Sequence, residues 1–111
     1  MRMWGVKPNQ LCRKHLLGEH VEMHMFAGTV KAKKSITGYI RKGLVNPRLI
    51  KTRHDELAKE LESRGYNHQS PLEFNCLNLP EHFLSIKSNI RELKSRCPIC
   101  FNRKEKVEEF L

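Results

Sequence analysis

The sequence predicts an all-α protein, a single compact domain of about three packed helices with long connecting loops. Three observations lead there. Helix start and stop signals recur three times along the chain, strand signals are weak, and 111 residues leave room for one domain with one modest core. No internal repeat interrupts that reading.

The first helix is expected in "NQLCRKHLLGEHVEMHMFAGTV", opening with Asn9 as N-cap and running to about Gly28. On a wheel of about 100° per residue, Leu11, His15, Gly18, Glu22 and Phe26 share one side. Leu16, Val21, Met23 and Ala27 point in other directions, and a helix apolar on several sides is surrounded by protein. His15 and Glu22 then belong in a groove, and Gly18 between them lets another group approach the helix closely. The second helix, "NPRLIKTRHDELAKELESRG", has Asn46 as N-cap, Pro47 at its first position and Gly65 as its stop. The third, "LPEHFLSIKSNIRELKSRC", is expected to start near Pro80, with Phe83, Ile86, Ile90 and Leu93 three or four residues apart. Between the first two lies "KAKKSITGYIRKGLV", a loop or a short helix. The connection "YNHQSPLEFNCLNLP" is long, and long ordered loops in compact domains are often functional.

With 39% hydrophobic and 30% charged residues, the composition is that of a globular domain. No apolar run approaches the roughly 18 residues that span a bilayer. The N-terminal "MRMWGVKPNQ" lacks a signal peptide's apolar core, so the expectation is an intracellular protein with no membrane partner. Twenty-one Lys and Arg against twelve Asp and Glu give a net charge of +9, which points to a polyanionic partner, nucleic acid first. A basic protein with no such partner is the bland alternative.

Metal chemistry is expected to be absent. His20 and His24 stand at i, i+4, but the stretch reads H-V-E-M-H rather than H-E-x-x-H and lacks a third ligand. Cys97 and Cys100 form a C-x-x-C, while Cys12 and Cys76 stand alone, with no second pair at finger spacing. A thiol pair packed at a helix end is the first reading of Cys97 and Cys100. Structural zinc held with distant partners is the weaker one.

The leading "MRMW", the segment "LCRKHLLGEHVEMH" and the later "RHDELAKELESRGYNHQSP" resemble the pyrimidine-dimer DNA glycosylases, in similar order and spacing from residue 1 to about residue 96. That resemblance implies a repair enzyme acting on damaged double-stranded DNA as a monomer, without a cofactor, of a kind familiar from phages. It implies a bifunctional glycosylase and abasic-site lyase whose N-terminal α-amine attacks the anomeric sugar carbon and forms a Schiff base. An α-amine with a pKa of about 8 is far more often unprotonated at neutral pH than a lysine at about 10.4. Because Arg2 is too large for the initiator methionine to be trimmed, the nucleophile is expected to be the Met1 amine itself. Glu22 matches the catalytic carboxylate, and Arg2 and His15 match positions that contact phosphate and sugar. Glu19 would orient those cations. Lys14, Lys33, Lys34, Arg41, Lys42 and Arg91 would hold DNA, with Lys31, Arg48, Lys51 and Arg53 in the same basic cluster.

The chain also departs from the phage members of that family. Val21 and Met25 stand where two phosphate-gripping arginines flank the carboxylate. The aromatic C-terminus is replaced by a divergent tail over 97–111, leaving Phe101 as the nearest candidate for base contact. These changes keep open the same amine chemistry on abasic sites or another modified base, a non-catalytic DNA-binding module, and a zinc-dependent adaptor built on Cys97 and Cys100.

Overall fold

The structure is a computed structural model that describes residues 1–102; the last nine positions of the divergent tail lie outside the described residues. It is helical, with four α-helices: α1 (Arg13–Lys31), α2 (Thr37–Arg41), α3 (Ile50–Ser63) and α4 (Ile86–Arg96). Single 3-10 turns, Pro8–Gln10 and Pro47–Leu49, lead into α1 and α3. Among the described residues no helix is long and apolar enough to cross a membrane.

The main packing is α1 against α3. α1 buries Leu16, Met23, Phe26 and Ala27, and α3 buries Ile50, Leu57 and Leu61 against them. Fully burying a Leu or Phe side chain contributes about 1.5–3 kcal/mol each, so this seam supplies much of the stability. The basic segment after α1 folds into the short α2, whose Tyr39 meets the Phe26 ring edge-on at 5.3 Å.

Helix limits differ from the sequence expectation in four places, one being α3, which begins at Ile50 because Pro47–Leu49 forms a separate 3-10 turn. Cys12, not Asn9, caps α1, its sulfur accepting from the His15 N–H, because Pro8–Gln10 has already turned as a 3-10 unit. α1 also runs through Gly28 to Lys31, since an isolated helical glycine costs only about 1 kcal/mol, and Lys33 at φ +59 ends it. α4 starts at Ile86 rather than near Pro80. Residues 80–85 cross the N-terminal arm outside any helix, with Leu84 packed on the core and Phe83, expected in an apolar stripe, 92% exposed. Asn46 caps the 3-10 turn before α3 through the Arg48 N–H, and Gly65 closes the helix at φ +93, as its sequence indicated.

Residues 1–7 form an arm that is part of the core. Met3, Trp4 and Val6 are buried. The Met3 N–H donates to the Leu44 carbonyl at 2.6 Å, and the buried Asn89 amide of α4 donates to the Trp4 carbonyl at 2.7 Å. Gly5 at φ +72 lies under α4, where an added Cβ would stand 2.7 Å from the Ile86 side chain. Only glycine suits both that backbone angle and that spacing. These contacts fix the N-terminal amine in space.

Candidate active site

The arm, α1 and the end of α4 enclose a cavity of about 680 Å³ lined by Met1, Arg2, Trp4, Lys14, His15, Leu17, Gly18, Glu19, Val21, Glu22, Leu44 and Arg96. The α1 residues in this wall include His15, Gly18 and Glu22, three of the five that the helical wheel grouped. The other two leave that face: Leu11 precedes the helix and Phe26 is fully buried. A Cβ on Gly18 would meet nothing within 4 Å, so the wall is open there.

The Met1 amine nitrogen lies 3.8 Å from Glu22 Oε1, with both groups partly shielded from solvent. Burial raises the Glu22 carboxyl above its ordinary pKa. The Met1 ammonium pulls it back down, the Glu19 carboxylate pushes it up, and Arg2 lowers it through its backbone N–H and its charge. The result is a carboxyl that is a better base than an exposed one, held beside an amine. The Arg2 guanidinium stacks over the Trp4 ring at 4.4 Å, which preorients a cation at the cavity.

Glu19 lines the same cavity as Arg2 and His15, and its carboxylate is engaged across the helix pair. Its carboxylate, buried inside α1, pairs bidentately with Arg53 of α3 at 2.5 and 3.0 Å. Burial raises its pKa, opposed by Arg53 and by the N–H groups of Trp4 and Gly5, which bond to the same carboxylate. Glu19 therefore ties arm, α1 and α3 together. Arg53, expected among the phosphate contacts, is buried and spent on Glu19 and Glu56. Lys51 pairs with Asp55, and Arg48 donates to the Leu79 carbonyl.

Of the other expected DNA contacts, Lys14 lines the cavity. Lys33, Lys34, Arg41, Lys42 and Arg91 are exposed and lie outside it. Arg96 and Trp4 join the site without having been singled out in the sequence, because no local pattern brings position 96 to the N-terminus. Val21 and Met25 are about half exposed on α1, Val21 in the cavity wall, so the two lost arginines are replaced by apolar surface. Phe101 packs against the core instead of lining the cavity.

His20 and His24 face α3, not the cavity. His20 Nε2 and His68 Nε2 share a hydrogen bond at 2.9 Å, and the Ser70 carbonyl accepts from His24 Nε2 at 3.1 Å and from His54 Nε2 at 3.0 Å. Burial, then repulsion from His54, His24 and His68, lowers the His20 pKa to about 4. These four rings fasten the "RGYNHQSP" loop to the helix pair. At the other end of α1, His15 stands beside Cys12 and Cys100, with Cys97 next to Cys12.

The family profile described as pyrimidine dimer DNA glycosylase matches residues 1–74, which carry the arm, Glu19, Glu22 and the histidine-locked loop but not α4 or the C-x-x-C. No curated protein and no solved structure gives a significant match to the chain. With 74 of its 111 residues covered by that profile, and with an N-terminal amine set against a carboxylate inside a cation-lined cavity, the chain belongs to the pyrimidine dimer DNA glycosylase family of DNA-repair enzymes.

Proposed function

We propose that this protein cleaves the glycosidic bond of one base of a cyclobutane pyrimidine dimer in duplex DNA and then cleaves the strand at the resulting abasic site, both through the Met1 α-amine. The approach of that amine to Glu22 at 3.8 Å, inside a cavity walled by Arg2, Lys14 and Arg96, carries the reading. The unprotonated amine forms a bond to C1′ of the sugar while the glycosidic C–N bond breaks, and the base takes the electron pair and a proton and stays joined to its neighbour through the cyclobutane ring. Ring opening gives a Schiff base. Glu22 stabilises the adjacent positive charge and, with its raised pKa, accepts the C2′ proton. The electron pair released there expels the 3′ phosphate, and water frees the amine. The cations of the wall and the exposed lysines and arginines outside it hold phosphates, so affinity falls steeply with salt. The target nucleotide, or its partner, leaves the stack to be reached, and a damaged step is cheaper to distort.

A second reading keeps the amine chemistry and changes the target to an abasic site or another modified base. The apolar Val21 in the cavity wall and Met25 beyond it, where arginines would grip a dimer's phosphates, favour it.

Borohydride trapping of untagged protein separates these. One duplex carries a thymine dimer and another an abasic site, and mass spectrometry locates the adduct. An adduct on the Met1 amine with both duplexes, lost with the dimer in Glu22→Gln, is the expected result. Trapping at the abasic site alone selects the second reading. No adduct with either duplex leaves a DNA-binding module without catalysis and overturns both.

A further inference from the structure

We propose that Cys12, His15, Cys97 and Cys100 bind one structural zinc ion that clamps the C-terminal segment to the start of α1. The sequence on its own pointed away from a metal, because the four ligands are split between two segments more than eighty residues apart. Folding brings them together. One donor atom from each residue, three sulfurs and a ring nitrogen, lies within 4.8 Å of every other.

The spacing is that of a single tetrahedral ion. With Zn–S near 2.3 Å and Zn–N near 2.0–2.1 Å, ligand atoms stand about 3.8 Å apart for two sulfurs and about 3.6 Å apart for sulfur and nitrogen. Cys12 Sγ and Cys97 Sγ are 3.8 Å apart. His15 Nδ1 lies 3.4 Å from Cys100 Sγ and is hydrogen-bonded to Cys12 Sγ at 3.0 Å, so the ring would move outward by about half an ångström to take up an ion. A disulfide would need sulfurs at about 2.05 Å, and all four cysteines of the chain are free thiols. Three thiolates and an imidazole are also a ligand set that zinc prefers.

The backbone around the sulfurs is arranged for thiolates. The Cys12 N–H donates to Cys100 Sγ at 3.3 Å, the His15 N–H to Cys12 Sγ at 3.4 Å, and the Cys100 N–H to Cys97 Sγ at 3.4 Å. Such N–H···S bonds disperse the negative charge of metal-bound sulfur and set the ligand directions. The C-x-x-C turn is closed by Phe101 at φ +68, a left-handed conformation uncommon for a residue with a side chain. Its N–H donates to the Gln10 carbonyl at 2.6 Å, on the segment just before Cys12.

The histidine cluster supplies the contrast. It offers three imidazoles and none of the thiolates that complete a structural zinc site, and His20 and His68 already share a hydrogen bond at 2.9 Å. Both nitrogens of His54 already face oxygen acceptors, in Asp55 and Ser70. A zinc ion joining residues so far apart in sequence removes much chain entropy from the unfolded state, and its binding energy becomes folding energy. Because His15 also lines the cavity, the ion would set the tautomer of a cavity side chain: Nδ1 on zinc leaves the proton on Nε2.

The test is metal content and cobalt spectroscopy on the untagged full chain purified under reducing conditions. The expected result is about one equivalent of zinc. Replacement by Co²⁺ should give thiolate-to-cobalt charge transfer and the intense visible bands of a tetrahedral site. Cys97→Ser with Cys100→Ser should lose both signals, while Cys76→Ser and His68→Ala keep them. The cobalt spectrum of the native chain decides the matter even if the double serine variant fails to fold. Substoichiometric zinc with an octahedral cobalt spectrum, a spectrum abolished by His68→Ala instead, or a Cys12–Cys97 disulfide in the reduced preparation would each overturn the proposal.

Discussion

Two clusters of metal-capable side chains flank α1, and they have opposite characters. At its N-terminus, Cys12 and His15 meet Cys97 and Cys100 at separations suited to four ligands around one ion. In its middle, His20 and His24 meet His54 and His68 edge-on or tilted, with a His20–His68 hydrogen bond and with His24 and His54 bonded to the Ser70 carbonyl. Donor chemistry distinguishes them: one gathers three sulfurs and a ring nitrogen, while the imidazoles bond to one another and to fixed oxygens. The first is a clamp that needs a ligand; the second is a lock of hydrogen-bonded rings that holds a loop without one. Between them on α1 stands Glu19, which anchors the arm, while Glu22, between His20 and His24 in sequence, faces the amine.

The largest effect is expected at Glu19, which lies between the two clusters on α1. Glu19→Ala leaves the buried Arg53 guanidinium without its partner and should cost about 3–5 kcal/mol in denaturant unfolding, more than any single histidine replacement. A smaller loss would mean that Glu56 can hold Arg53 alone.

Metal removal should come next. Exhaustive chelation is expected to lower Tm by more than about 10 °C, with restoration by added zinc, whereas a chelator should have no effect on the histidine cluster. Unchanged Tm after verified metal loss would put the two clusters back on equal footing.

Acid should act on the histidines. His20 has its folded pKa lowered to about 4, so the unfolded chain binds the extra proton first as pH falls. Stability from this group is complete above about pH 6.5 and is lost as pH falls toward 4, a decline of up to about 3 kcal/mol. Urea titrations at stepped pH measure it, and the slope should flatten in a His20→Phe variant.

The smaller effects sharpen the distinction. His68→Ala removes one hydrogen bond and its packing and should cost about 1–2 kcal/mol. It should also move the His20 titration upward, since a shielding ring and one of the repelling groups are gone. Combined with metal removal, its effect should be additive within about 0.5 kcal/mol, because the clusters share no residue. A larger coupling would reveal that α1 transmits strain between them.

Where the sequence was legible, the information was local. Asn46, Pro47 and Gly65 mark the second long helix because caps and stops act over one turn. His15, Gly18 and Glu22 could be placed on one wall because helical periodicity orders residues within α1. Where reading failed, the partner was distant. Arg53 looked like a phosphate contact until Glu19, 34 residues away, claimed it. Phe83 looked helical and buried, but its segment is held by Leu84 and Ile86 against the arm. Asn89 and Arg96 gave no signal, since their roles exist only against Trp4 and the cavity.

The sequence alone therefore determined the helical class, the C-terminal limit of α3, the face of α1 that carries Glu22, and a charge suited to a polyanion. Each of these follows from propensity, periodicity or composition, which act between near neighbours. The tertiary structure decided the rest: that the Met1 amine is brought to Glu22, that Glu19 faces inward to Arg53, and that two cysteines from the tail close on Cys12 and His15. Those outcomes depend on which distant segments share the small core, and burial across the whole chain settles that question.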